Sequence, residues 1–156
     1  MLRILLASAG LLLGASAAGL AGSGQTGSSV HGFWETPEDS SIVRLFECRD
    51  RPGDLCGEIA WLSPDEPQRD VENPDPELRG RPLVGLDILW EFTRTQENVF
   101  EGGEVYNPDD GRTYSGEIRK TGPDTLELEG CALMVFCKEQ TWERVPADDP
   151  RLGEDS

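Results

Sequence analysis

Four cysteines, one histidine and thirty acids are the residues from which this chain could build chemistry. An even cysteine count reads as disulfides if the chain is exported, and four cysteines allow three pairings. Arg51-Pro52-Gly53-Asp54, with Pro second and Gly third, is a strong turn signal. It brings Cys48 opposite Cys56, so the expected bridges are Cys48–Cys56 and Cys131–Cys137. Loops this short stabilise by about 2–3 kcal/mol each in the chain-entropy model. A zinc site is the rival reading, but the spacings are not C-x-x-C. Oxidised cysteines remove thiol catalysis. His31 sits at the edge of a Gly/Ser/Ala stretch and reads as an exposed linker residue, which leaves a Ser-His-Asp triad without a placed base. Carboxylates are so numerous that choosing an acid–base pair from them means nothing without geometry.

Two constellations offer binding chemistry instead. Asp70, Asn73 and Asp75 place hard oxygen ligands close together, but without EF-hand spacing and with Pro74 between them, so no metal is assigned. They belong to Ser63–Pro82, which holds five prolines, six acids and three arginines. A loop of this length is functional or disordered more often than not. Arg79 and Arg81 could pair with Asp70, Glu72 or Asp75, making a self-paired surface loop; the sharper reading is a lid over a barrel mouth. The second constellation is the final strand. If a disulfide holds Cys131 and Cys137 on the wet face, then Phe136, Lys138, Gln140, Trp142 and Arg144 point inward. Glu47, alternating with Val43 and Leu45, would face the same way and could pair with Lys138. Buried polar groups need partners, whether each other, water or a ligand.

Positioning these residues requires strands. Leu86, Ile88, Trp90 and Phe92 alternate with Asp87, Leu89, Glu91 and Thr93. Leu55, Gly57, Ile59 and Trp61 share one face. Tyr114, Gly116 and Ile118 form another row, and so do Leu126 and Leu128. Turn signals separate the runs at Pro52-Gly53, Pro108-Asp109-Asp110-Gly111 and Gly122-Pro123-Asp124. Gly102-Gly103 inside a strand suggests a bulge or tight bend. No stretch has a helical period. About eight close-spaced strands predict an all-β fold, a barrel or sandwich.

The ends read differently. Arg3, an apolar run from Ile4 to Leu13 and Ala15-Ser16-Ala17 form a secretory signal peptide, cut near Ala17 with Ala21 as the alternative site. That run is too short to span a membrane. Residues 18–30 read as a flexible leader, 31–146 as the folded domain, and 147–156 as a loose acidic tail. The formal net charge of −16 disfavours nucleic acid and anionic lipid as partners and favours cationic ones.

Several stretches together carry a resemblance. Gly32-Phe33-Trp34 opens the domain, followed by Leu55-Cys56-Gly57-Glu58-Ile59 with Trp61. Asp70, Asn73-Pro74-Asp75-Pro76 with Leu78, and Arg81-Pro82-Leu83 with Gly85 come next. Gly103-Glu104-Val105-Tyr106-Asn107-Pro108, Gly111 and Thr113-Tyr114 continue the pattern. Gly130-Cys131, Cys137 and Thr141-Trp142-Glu143-Arg144-Val145 close it. The set resembles the bacterial exported family called domain of unknown function 2147, over residues 32–145. It departs at Phe100, where the family more often has Trp. The resemblance implies a periplasmic or secreted protein with a small antiparallel up-and-down β-barrel of calycin-like (lipocalin-like) type, and no established activity. Lipocalin-like barrels open with Gly-x-Trp and pack an Arg from the last strand over that Trp. Gly32-x-Trp34 and Arg144 stand in those places, and such a contact is favourable by about 0.5–2 kcal/mol.

The leading expectation is a monomeric periplasmic binding module for a small anionic or amphipathic ligand, without a cofactor. Lys138, Gln140, Glu47, Trp61, Trp90, Tyr106, Tyr114, Asp70, Asn73 and Arg81 are its candidate binding residues. The alternative is a structural or envelope-stress protein with a filled barrel that meets an envelope protein through its acidic surface and the 63–82 loop. A hydrolase with paired carboxylates is the third and weakest reading.

Overall fold

The computed structural model describes residues 29–133 and 135–153. Eight antiparallel strands close into an up-and-down barrel in chain order: β1 (Gly32–Glu35), β2 (Ser41–Glu47), β3 (Asp54–Leu62), β4 (Asp87–Gln96), β5 (Val99–Asn107), β6 (Arg112–Lys120), β7 (Thr125–Ala132) and β8 (Phe136–Val145). The β1–β8 ladder, Phe33 opposite Val145 and Trp34 opposite Arg144, closes the ring. Hairpins therefore alternate between two ends. The β2–β3, β4–β5 and β6–β7 turns share the end where the chain enters β1, here the entry end. The β5–β6 and β7–β8 turns and the 63–86 connection lie at the far end.

Alternate residues fill the interior as the period-two rows require. Trp34, Val43, Leu45, Leu55, Ile59, Phe92, Ile118, Leu126 and Trp142 are all buried in one cluster. Glycines make room for the largest of them. A Cβ on Gly103 would lie 2.3 Å from the Phe92 ring and one on Gly116 2.7 Å from it. The middle of the barrel is thus packed around Phe92. The Gly102-Gly103 irregularity is a bulge, with Gly102 at φ +74 and the register shifting between Glu101 and Gly103.

Both disulfides form as expected, Cys48–Cys56 and Cys131–Cys137. Gly53 in the first turn takes φ +95, the conformation that glycine adopts without penalty.

Two expected rows are broken by bulges. Val43 pairs with Ile59 but Ile42 pairs with Trp61, so Ala60 is the extra residue. Trp61 consequently turns to the outer face, away from Leu55, Gly57 and Ile59. In β4, Glu91 has φ +59, and Leu89 and Phe92 are both fully buried although three residues apart. Leu89, expected on the wet face, is core, and Trp90 is only half-buried, opposite Glu104.

The described residues on either side of the barrel are held more closely than their composition suggests. The expected signal segment and leader residues 18–28 lie outside the described residues. Val30, expected in the leader, is buried in the core, and its carbonyl accepts the Trp34 indole N–H at 2.8 Å. The 147–153 segment docks rather than trailing. Arg151 binds Asp149 at 2.9 Å, pairs with Glu35 and lies 5.1 Å from the Trp61 ring centroid. Glu35, Ile42 and Trp61 form one outer row, and Ile42 within it is fully buried. A single arginine anchors a segment whose acids alone suggested a loose tail.

Candidate functional site

At the entry end Trp34 is fully buried and the Arg144 guanidinium stacks 4.2 Å from its ring centroid. Arg144 also donates to the backbone carbonyls of His31 and Ser29, which ties the incoming chain across the barrel base. His31 itself is exposed.

The 63–86 connection forms a strap. Val105 shares the inner face with Gly116, since a Cβ there would meet its side chain at 2.7 Å. The next residue, Tyr106, therefore points outward, yet it is buried. The strap covers it. Tyr106 donates its hydroxyl to Asp70 Oδ1, while Asn73 Nδ2 donates to Asp70 Oδ2 at 2.7 Å and to the Tyr106 oxygen at 3.1 Å. Arg81 completes the set with Nε and a terminal nitrogen at 2.8 and 2.7 Å from Asp70 Oδ2. Arg79, expected to pair with an acid, instead donates to the Asn73 carbonyl at 2.8 Å. Asp70, Asn73, Arg81 and Tyr106 thus come together as a closed buried network. The oxygens that a calcium ion would need are committed to protein donors. Burial alone would push the Asp70 carboxyl up, but the hydrogen bonds from Tyr106, Asn73 and Arg81 outweigh it and hold the carboxyl below its ordinary value. Burial and the Asp70 hydrogen bond push Tyr106 up. The strap thus lies against the outer side of β5 at Tyr106, and Glu72 and Pro74 pack on Gly111 of the β5–β6 turn.

The far end holds the remaining polar candidates. Lys138 pairs with Gly130, Gln140 with Leu128 and Trp142 with Leu126, so all three lie on the inner row with buried leucines. Gln140 accepts the Trp142 indole N–H at 3.0 Å. Lys138, expected inside, is exposed at the rim. It cannot meet Glu47, which ends β2 at the opposite end and accepts from the Gly53 N–H at 3.3 Å. Tyr114 lies on the inner face opposite Val105, and its hydroxyl donates to Asp110, which raises its pKa. Gly116 and Gly130 face each other across β6 and β7. A Cβ on Gly130 would make an ordinary contact with the Tyr114 Cβ at 3.7 Å, so Tyr114 stands beside this glycine on the inner wall. Leu133, Val135 and Phe136 stand exposed on the β7–β8 hairpin above it. The mouth therefore combines Tyr114, Gln140 and Lys138 beneath an apolar rim, while Trp61 and Trp90 lie elsewhere.

Sequence reasoning passed over Arg112, which follows the same inner alternation as Tyr114. It also passed over a cleft of about 380 Å³ at the entry end, between the β2–β3 and β4–β5 hairpins. The signal for Arg112 was present in the Tyr114 row; the cleft depends on how two hairpins converge, which local pattern does not encode.

The family model described as an uncharacterised protein conserved in bacteria, DUF2147, matches residues 32–144. The chain belongs to this family. No curated protein matches it. Among solved structures, this DUF2147 chain is similar to protein HP1028 from the human pathogen Helicobacter pylori, described as belonging to the lipocalin family. That match has a TM-score of 0.65 and 24% identity, and it covers 76% of this chain and 84% of the other. At that identity the likeness establishes the fold, a lipocalin-like barrel. No helix among the described residues is long and apolar enough to cross a membrane.

Proposed function

We propose that this DUF2147 protein is an exported binding protein that takes a small anionic, amphipathic ligand at the far-end mouth. The observation that supports this is Lys138. It has no ion-pair partner among the described residues, although the chain has a formal net charge of −16. It stands on the inner row above Gln140 and Trp142, where an anionic head would meet it while an apolar tail lies along Tyr114, Gly130 and Phe136. The packed middle of the barrel limits the ligand to the upper lumen. The two disulfides and the bacterial family fit export, with residues 1–17 removed and a periplasmic or secreted destination.

Decanoate tests the reading. Titration should quench the fluorescence of Trp142, and decyltrimethylammonium should not reproduce the change. Lys138→Glu should weaken decanoate binding about tenfold or more, the equivalent of about 1.4 kcal/mol. Equal binding of both amphiphiles, or no effect of Lys138→Glu, would count against it.

A second reading is favoured by a different observation. Glu101, Glu117, Glu129 and Glu139 lie directly opposite one another across β5, β6, β7 and β8. This row on the outer wall suits a basic envelope protein, and a pull-down lost on raising the salt would support that partner.

A further inference from the structure

The entry-end cleft has the charge pattern opposite to the far-end mouth. Its floor is apolar, made by Val30, Leu55 and Phe100, and its rim bears Glu47, Asp54 and Glu97. Its volume falls within the range of about 300–1,000 Å³ usual for small-molecule sites. Arg94 also borders the cleft but is bound to its own hairpin. Its Nε donates to the Gln96 carbonyl at 3.3 Å, it donates to the Glu97 carbonyl, and its guanidinium lies 6.0 Å from the Phe100 ring centroid. Arg51 on the neighbouring hairpin is occupied by Asp54 and Glu91 at 2.9 and 2.8 Å. The Glu97 carboxylate has no partner among the described residues.

We propose that this cleft is a second ligand site, for a small organic cation with an apolar body, such as a primary alkylammonium. The body would cover Phe100 and Leu55. The ammonium would sit between Glu47 on one hairpin and Glu97 on the other, where it donates to carboxylates in a partly desolvated cleft. The site is independent of Lys138, which belongs to the other end of the barrel.

The test is a chemical-shift titration of the purified protein with n-hexylamine, hexanoate and hexanol at neutral pH. Hexylamine should move the amides of Val30, Leu55 and Phe100. Glu47→Gln with Glu97→Gln should weaken it about fivefold, while Lys138→Glu leaves it unchanged. The same spectra show whether the double variant is folded, and Glu97→Gln alone, on an exposed loop, provides a second measure. Hexanoate or hexanol moving those amides as strongly would overturn the proposal. So would undiminished hexylamine binding in both variants, or shifts confined to the far end.

Discussion

Asp70 shows what one buried carboxylate does here. It is fully buried, and its partners come from the strap and from β5, so it fastens an irregular segment to the barrel wall. Replacing it with Asn keeps the volume and removes the charge that Arg81 and Tyr106 address. Removing one partner of a buried charge pair costs several kcal/mol. Arg81 is partly exposed, so about 2 kcal/mol is expected from Asp70→Asn at pH 7. The pH dependence has a definite sign. The folded carboxyl lies below the ordinary value of 3.8, so its contribution is present above that value and is lost as pH falls through the folded pKa. The stability gap between the natural protein and Asp70→Asn, read by urea unfolding, should therefore be widest near neutrality and shrink in acid. A gap that widens toward pH 3 would show that the carboxylate is not the stabilising form. Tyr106 sets the upper limit: its pKa is raised above 10.0, so its contribution fades as pH rises beyond that.

Strands and turns were legible because their signals are local. Pro52-Gly53 between Cys48 and Cys56 specifies a turn, and the turn specifies the bridge. Gly102-Gly103 announced a bulge. What was not legible arose from single-residue insertions. Ala60 and Glu91 each reverse a period-two row, which moved Trp61 outward and Leu89 inward, because a strand's faces depend on parity and one extra residue inverts it. The strap was legible only in part: the Arg81–Asp70 pair follows from its local charges, but Tyr106, the partner on the barrel wall, lies 36 positions from Asp70 in the chain. The interior glycines give the sharpest test of strand packing. Gly103→Ala should destabilise by about 1–3 kcal/mol or more, because the new Cβ would fall inside the Phe92 ring contact. Phe92→Leu also destabilises alone, by leaving space. The pair combined should be more stable than the sum of the single losses predicts. Strict additivity in thermal melts would mean that the glycine is there for its backbone freedom alone.

The molecule as a whole tolerates an electrostatic arrangement that a stability-optimised sheet would avoid. Like charges directly opposite on neighbouring strands are destabilising, yet four strands place glutamates in one continuous row. Arg119 relieves only one member, pairing with Glu117 and lying 3.9 Å from Glu127 outside the row. Glu129 sits between two other glutamates and should contribute the most repulsion. Glu129→Gln is expected to stabilise the protein by about 0.5 kcal/mol at low ionic strength. The gain should disappear in about 0.5 M salt, where charges separated by more than a few ångströms are screened. Glu117→Gln makes the control, since it relieves the same row but gives up the Arg119 pair, and its gain should be smaller. Urea unfolding of both variants at two salt concentrations decides the matter. A loss of stability in Glu129→Gln would mean that the row is held together by something it binds in solution. Cation carry-over would then be visible as a chelator-sensitive difference in the natural protein. A gain that salt abolishes means that the repulsion persists in the folded protein, and natural proteins commonly keep such suboptimal surfaces where selection acts on function above a stability threshold.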